Sequence, residues 1–233
     1  MNTNKIGCMM LALLAGGASS LPAFAAGGGE VTNLSGTLSA QRPDGALLIL
    51  SQKSEVRPGD TLTTQKDSYA QINFPDGSSM TMRPNTRMRV ENFQFTQDKP
   101  QEDGAFFRLI KGGLRTVTGL VGKRGNQDAY RISTATATIG IRGTTGTTLV
   151  CDPSCEGVVS GGEKLPQGTY QESSAGIWIL VIGPKTEEIT AGRSGWSTDG
   201  LTINVGPTSA SPLGGLDLGV RGFFSGPTAN LCN

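Results

Sequence analysis

Along much of this chain apolar and polar residues alternate with a period of two, and turn chemistry separates the alternating runs. The clearest case is a hairpin. Ala70, Ile72 and Phe74 alternate with Tyr69, Gln71 and Asn73, Pro75-Asp76-Gly77 turns the chain, and Met80 and Met82 resume the alternation. Proline presets φ in such a turn, aspartate bonds back to the backbone, and glycine accepts positive φ. Period two on both sides predicts two paired strands.

The same rhythm runs through the rest. Val31 to Leu38 reads as a strand with a bend at Gly36. Arg42-Pro43-Asp44-Gly45 turns into a short apolar strand, Ala46 to Leu50, and Arg57-Pro58-Gly59-Asp60 turns into Thr61-Leu62-Thr63-Thr64. After the corner Arg83-Pro84-Asn85-Thr86, Met88, Val90, Phe93 and Phe95 point inward. Gln97 to Gly104 loops out. Phe106 to Ile110 returns before Gly112-Gly113, and Leu114 to Leu120 forms a separate strand ahead of a polar loop from Lys123 to Asp128. Ile177 to Ile182 is nearly continuous in apolar residues, as in a strand covered on both faces. Thr186 to Thr190 and Trp196 to Val205 add two more. Turns every 8 to 16 residues suit a sandwich, barrel or solenoid rather than βαβ units.

The stretch Tyr130 to Val150 reads as the spine. Its seven threonines favour a pleated backbone, and Gly140, Gly143 and Gly146 recur every three residues, where a sheet can bend. Two strands hinged at Arg142-Gly143-Thr144 are expected. Arg142 admits two readings: an anion or partner contact, or a planar donor stitching carbonyls across a rung. The second, structural one is adopted for this motif.

Composition sharpens the class. Of 233 residues 34 are glycine, which disfavours long helices because each interior glycine costs about 1 kcal/mol relative to alanine. Residues 1–25 read as a secretory signal peptide: Lys5, an apolar run from Ile6 to Leu14, then Ala23-Phe24-Ala25 before a cleavage point at Ala26. That run is too short for a membrane anchor. Cys8 lies too early for lipidation. Residues 26–205 are expected to form the all-β domain, and 206–233 a tail rich in Gly, Pro and Ser with scattered Leu213, Leu216, Leu218, Val220, Phe223 and Phe224.

The chemistry available is narrow. No histidine occurs, which removes the usual general base, the Ser-His-Asp and Cys-His arrangements and most zinc sites. Glu187-Glu188 would point to opposite faces of a strand, and Glu102-Asp103 lies in a polar loop. Gly122-Lys123 lacks phosphate-loop spacing, and the glycine series in the spine lacks a strand–helix context. No catalytic residue, cofactor or metal ligand is assigned, and the protein is expected not to be an enzyme.

Without Lys5 the mature chain is formally neutral, which argues against nucleic acid as a partner. The charge is uneven, however. Residues 108–142 carry Arg108, Lys111, Arg115, Lys123, Arg124, Arg131 and Arg142 against Asp128 alone, a local net of +6. Arg108, Lys111, Arg115, Lys123 and Arg124 form the candidate docking face for an acidic envelope protein or an anionic envelope polymer. The other reading is a solvated rim.

In an oxidising compartment Cys151 and Cys155 are expected to pair, leaving Cys232 odd. Fully extended, they would stand about 13 Å apart, beyond disulfide reach, but Asp152-Pro153-Ser154 can turn them together.

The combination of Gly59 to Thr64 (GDTLTT), Ala70 to Ser78 (AQINFPDGS), Leu109 to Leu114 with its paired glycines, Ile139 to Thr144 (IGIRGT) and Ala191 to Gly195 (AGRSG) resembles the FecR domain family of exported bacterial proteins. The resemblance covers roughly Val31 to Gly195. It implies a β-solenoid-like or rolled all-β periplasmic domain. In the family's type member that domain passes an iron-transport signal from an outer-membrane receptor to a cytoplasmic sigma factor. This chain is expected to be a stand-alone version, without the cytoplasmic and transmembrane parts, that binds an envelope partner in sensing or scaffolding. The alternative is a structural or adhesive solenoid that binds envelope polysaccharide.

Overall fold

The computed structural model describes residues 28–143, 145–153 and 165–214. Within them the chain is all-β, with seventeen strands and three single-turn 3-10 helices. Strands β1 (Gly29–Ser35), β2 (Leu38–Gln41), β3 (Leu47–Leu50), β4 (Glu55–Val56), β5 (Thr61–Thr64), β6 (Tyr69–Asn73), β7 (Ser79–Met82) and β8 (Arg87–Gln94) precede the longest, β9 (Gly104–Val117). Then come β10 (Tyr130–Ser133), β11 (Thr138–Ile141), β12 (Thr145–Cys151), β13 (Gly168–Ala175), β14 (Ile177–Ile182), β15 (Lys185–Thr190), β16 (Arg193–Ser197) and β17 (Asn204–Pro207).

The strands pair as two half-sheets that share β9. In the first, the order is β4-β1-β6-β7-β9-β12-β13-β16-β17, using Gly112 to Val117 of β9. In the second it is β3-β2-β5-β8-β9-β10-β11-β14-β15, using Gly104 to Lys111. Among the strands of the described residues only the β9–β10 pairing is parallel. Among the described residues the sheet does not close on itself.

Gly112-Gly113, expected to separate two strands, instead lies inside one. Gly112 takes φ +88°, so the strand swings from one half-sheet to the other while its pairing continues. A side chain there would be strained at that φ and would press into the Cα and Oγ1 of Thr86. Thr86 in turn fixes the bend. Its hydroxyl accepts from Gly113 N–H (2.9 Å) and lies 3.1 Å from the Gly113 carbonyl, and its own N–H donates to Thr64 Oγ1 (3.0 Å). Thr64 Oγ1 donates to the Arg83 carbonyl (2.6 Å), and Arg83 N–H to the Gly113 carbonyl (2.9 Å). The Arg83-to-Thr86 corner is thereby tied to the bend from both half-sheets.

The inner faces of both half-sheets form one core. The predicted hairpin pairs Ala70 with Met82 and Ile72 with Met80, all fully buried. Phe74 stacks on Phe93 (4.7 Å between ring centres), meets Phe107 edge-on (5.4 Å), and Phe107 lies 5.8 Å from Tyr130. Each such ring contributes roughly 1.5–3 kcal/mol through burial. The Pro75-Asp76-Gly77 turn is anchored too: Asp76 accepts from Ser78 N–H and Oγ and from Val121 N–H (2.9, 2.6 and 3.2 Å).

The expected hinge of the spine is a change of half-sheet, from β11 to β12 across Arg142 and Gly143, with Gly143 at φ +74°. Thr144 lies outside the described residues. The spine holds three strands rather than two, because β10 and β11 are themselves a hairpin. Nor is β14 covered on both faces. Trp178, Leu180 and Ile182 are buried, whereas Ile177, Ile179 and Val181 are half-exposed. On the outer face of the first half-sheet a second small core gathers Leu149, Cys151, Leu165, Tyr170 and Leu213 against Trp196. Gly206 to Gly214, read as tail from sequence, thus include the end of β17 and a fully packed leucine. Residues 1–25, expected as a signal peptide, and residues 215–233 lie outside the described residues.

Replacing Gly112 by alanine is expected to destabilise the fold by about 3 kcal/mol or more, from positive φ and the clash with Thr86. Thr86→Val should cost about 1–3 kcal/mol by leaving the Gly113 N–H unpaired. Urea unfolding of both variants, with unchanged m-values, checks this.

Candidate functional site

Strand alternation decides which charges share a face. On the outer face of the second half-sheet Arg87 stands opposite Lys111, and Arg89 stands opposite Arg108. Arg131 follows on β10, opposite Phe106, its guanidinium 5.6 Å from that ring. Arg87, Arg89, Arg108 and Arg131 are exposed. Glu91 is the carboxylate among them, paired with Arg108 Nε at 2.6 Å. Like charges directly opposite across strands weaken a sheet. Two such pairs side by side make a face that stability alone does not select.

The face is also concave. A groove of about 430 Å³ is lined by Glu91, Asn92, Phe106, Phe107, Arg108, Arg131, Ser133 and Thr138. A second of about 320 Å³ adjoins it and shares Arg131 and Thr138, reaching Asp128, Tyr130, Gly140, Arg142, Ile179 and Val181. The half-exposed side chains of β14 floor this second groove. Arg108, Arg131 and Arg142 outnumber Glu91 and Asp128 around an aromatic ring and aliphatic carbons, and with the Ser133, Thr138 and Asn92 side chains they suit an anionic ligand with some apolar surface. Among the described residues no group of three or more His, Cys, Asp or Glu side chains is placed to hold a metal ion.

The five cations of the sequence-derived docking face do not share a surface. Arg108 and Lys111 belong to the groove face. Arg115 lies on the first half-sheet, 3.5 Å from Ser174 Oγ and beside Glu172. Lys123 donates to the Thr118 carbonyl (2.7 Å). Arg124 is a clamp. It bonds Asp103 (3.0 Å), which is wholly buried, and donates to the carbonyls of Gln97 and Thr96 (2.6 and 2.8 Å). It also lies 4.5 Å over the Phe95 ring. Its charge is consumed in closing the 95–103 loop. Arg142 is exposed, and among the described residues its guanidinium reaches only the Ile141 carbonyl (3.3 Å). The bridge across the rung comes from its backbone N–H, which donates to the Ile177 carbonyl (2.8 Å).

Arg87 and Arg89 were missed. The signal was present in Arg87-Met88-Arg89-Val90, whose alternation sends both arginines to one solvent face. Counting charge along the chain, rather than by strand face, hid them.

Cys151 is buried and disulfide-bonded. Both possible partners named from sequence, Cys155 and Cys232, lie outside the described residues.

The residues that carried the family resemblance are architectural. Gly59 turns at φ +90°, buried Asp60 pairs with Arg42 at 2.7 Å, Asp76 anchors its hairpin and Gly112 makes the bend. Residues 60–161 match the sequence model of the family described as FecR protein. The match includes the motifs from Asp60 to Thr144; Ala191 to Gly195 falls beyond it. Two crystal structures of a candidate anti-sigma factor from Parabacteroides distasonis, at 1.65 and 2.50 Å resolution, are similar at 12% identity and a TM-score of 0.46. The likeness covers 63% of this chain and 59% of theirs. No curated protein matches the chain.

Two outcomes separate clamp from face. Arg124→Ala should destabilise by about 3 kcal/mol, because it strands a buried carboxylate, while Arg131→Ala should stay within about 1 kcal/mol. Chemical denaturation measures both.

Glu172 gives a pH test. Burial raises its carboxyl above the ordinary value, against the opposing hydrogen bond from Ser174 and the charge of Arg115. A raised value means the folded state holds the proton more tightly. The resulting stability is present at low pH and is lost as pH rises through the folded value. Glu172→Gln should therefore flatten the fall in melting temperature from pH 4 upward, and identical pH profiles would contradict that assignment.

Proposed function

We propose that this chain is an exported, non-enzymatic FecR-like domain that binds an acidic envelope partner through the outer face of the second half-sheet, in sensing or scaffolding. The observation that carries the reading is the pair of like-charged ladders, Arg87 with Lys111 and Arg89 with Arg108, beside Arg131 and the groove. A face assembled against its own electrostatics is relieved by an anionic ligand. The FecR match of residues 60–161 supports a regulatory setting, with iron-responsive signalling as the type member's version of it.

In this reading cleavage between Ala25 and Ala26 delivers the domain to the periplasm or beyond, and Cys151 pairs with Cys155 there. So short a disulfide loop contributes only roughly 2 kcal/mol, a clamp on one turn rather than a condition of folding. The shape is a rolled sheet, two half-sheets folded over a common core along β9. Among the described residues no helix is long and apolar enough to cross a membrane.

The test is in-cell photo-cross-linking from a probe at Asn92, inside the groove, followed by identification of the adduct. One defined acidic protein is the expected product. Its yield should fall several-fold in Arg89→Glu/Arg131→Glu while the melting temperature changes little. An unchanged adduct in that variant would remove the face from the proposal. A polysaccharide adduct in its place would favour the adhesive alternative.

A further inference from the structure

Strand β3 is the edge of the second half-sheet, and among the described residues it pairs with β2 alone. Its sequence is Leu47-Leu48-Ile49-Leu50, and three of the four side chains are open: Leu47 is 71% exposed, Ile49 72% and Leu48 41%. Protected edges are short, charged or carry proline. This one is short but wholly apolar.

Its backbone is directed as well. The hairpin closes with Arg42 N–H donating to the Ala46 carbonyl (2.8 Å), and the register continues through Ala40 opposite Leu48 and Leu38 opposite Leu50. In an antiparallel ladder the hydrogen-bonded pairs alternate, so Leu48 and Leu50 bond to β2. The N–H and C=O of Leu47 and Ile49 therefore point to the free side. The two residues with open backbone groups are thus the two with the most exposed side chains.

We propose that β3 is a self-association edge, at which a second copy of this chain adds its own β3 antiparallel across a two-fold axis. The free edge is complementary to itself. With Leu48 on the axis, Leu47 of each copy meets Ile49 of the other, and both residues satisfy their outward N–H and C=O. A two-fold normal to the sheet keeps the faces matched, so Leu47 and Ile49 of both copies form one apolar cluster. Charge agrees. Asp44 sits in the turn that enters β3 and Lys53 in the turn that leaves it, both exposed, so antiparallel addition brings each Asp44 toward the other copy's Lys53. On the inner side Leu48 lines an open hollow of about 620 Å³ with Pro43, Ala46 and Pro58, which gives the paired Leu48 side chains room. A four-residue ladder falls below the roughly 1,200 Å² of a standard interface, so the dimer is weak and depends on concentration. The edge is separate from the basic groove, and either reading can fail alone.

Sedimentation velocity on the full exported chain, from about 10 μM to about 1 mM, reads the association in the range a weak dimer occupies. The wild type should shift from monomer to dimer across the series and stop there, because the pairing closes on itself. Ile49→Pro should remain monomeric throughout with unchanged circular dichroism, since residue 49 donates nothing to β2 and proline is tolerated on an edge. Should that variant misfold, Lys53→Glu gives the independent measure. It should weaken association several-fold at low salt, and adding Asp44→Lys should restore it. A wild type that stays monomeric at every concentration overturns the proposal. So does a folded Ile49→Pro variant that dimerises like the wild type, or a charge swap with no effect.

Discussion

Everything in this fold depends on β9 turning from one half-sheet into the other without losing its ladder. Gly112 supplies the backbone conformation at φ +88°, and Thr86 fills the space that any side chain there would need. Because Thr86 bonds the Gly113 backbone and Thr64 Oγ1, the bend is tied to β5 and to the corner after β7. The first eight strands lie on one side of β9 in each half-sheet and the last eight on the other. β9 pairs in both, and their inner faces share one core.

That constraint explains where charge collects. The half of β9 before the bend sends Arg108 outward, with the arginines of β8 on one side and Arg131 of β10 on the other. The half after the bend sends Arg115 to the other half-sheet, beside Glu172 and Ser174, where its charge has company. A single basic run in the sequence is thereby split into an open face, an arginine set beside the buried Glu172, and the loop clamp at Arg124.

Much of the architecture was legible in the chain. The Tyr69 to Met82 hairpin, the bend at Gly36 and the change of direction at Gly143 follow from local turn chemistry and period two. Three things were not. Gly112-Gly113 looks like a terminator, because no local rule tells a strand end from a bend whose ladder continues. Ile177 to Ile182 looks doubly buried, because apolar composition does not record that one face is left open over a groove. The roles of Lys123 and Arg124 were hidden because their partners, the Thr118 carbonyl and the buried Asp103, are set by loop packing. The candidate site was half visible. Arg108 and Lys111 could be named from the sequence, but the arginines facing them needed the register.

The central claim is that the partner-binding surface is a sheet face and not the basic run as it reads along the chain. Oxidative side-chain footprinting in periplasmic extract against purified protein tests it most directly. Phe106 lines the groove; Leu120, 43% exposed, sits beside Lys123 and Arg124; Leu201, 72% exposed, is the reference. The account predicts lower labelling of Phe106 in the extract, with Leu120 and Leu201 unchanged. Protection of Leu120 with Phe106 labelled as in the purified protein would contradict it.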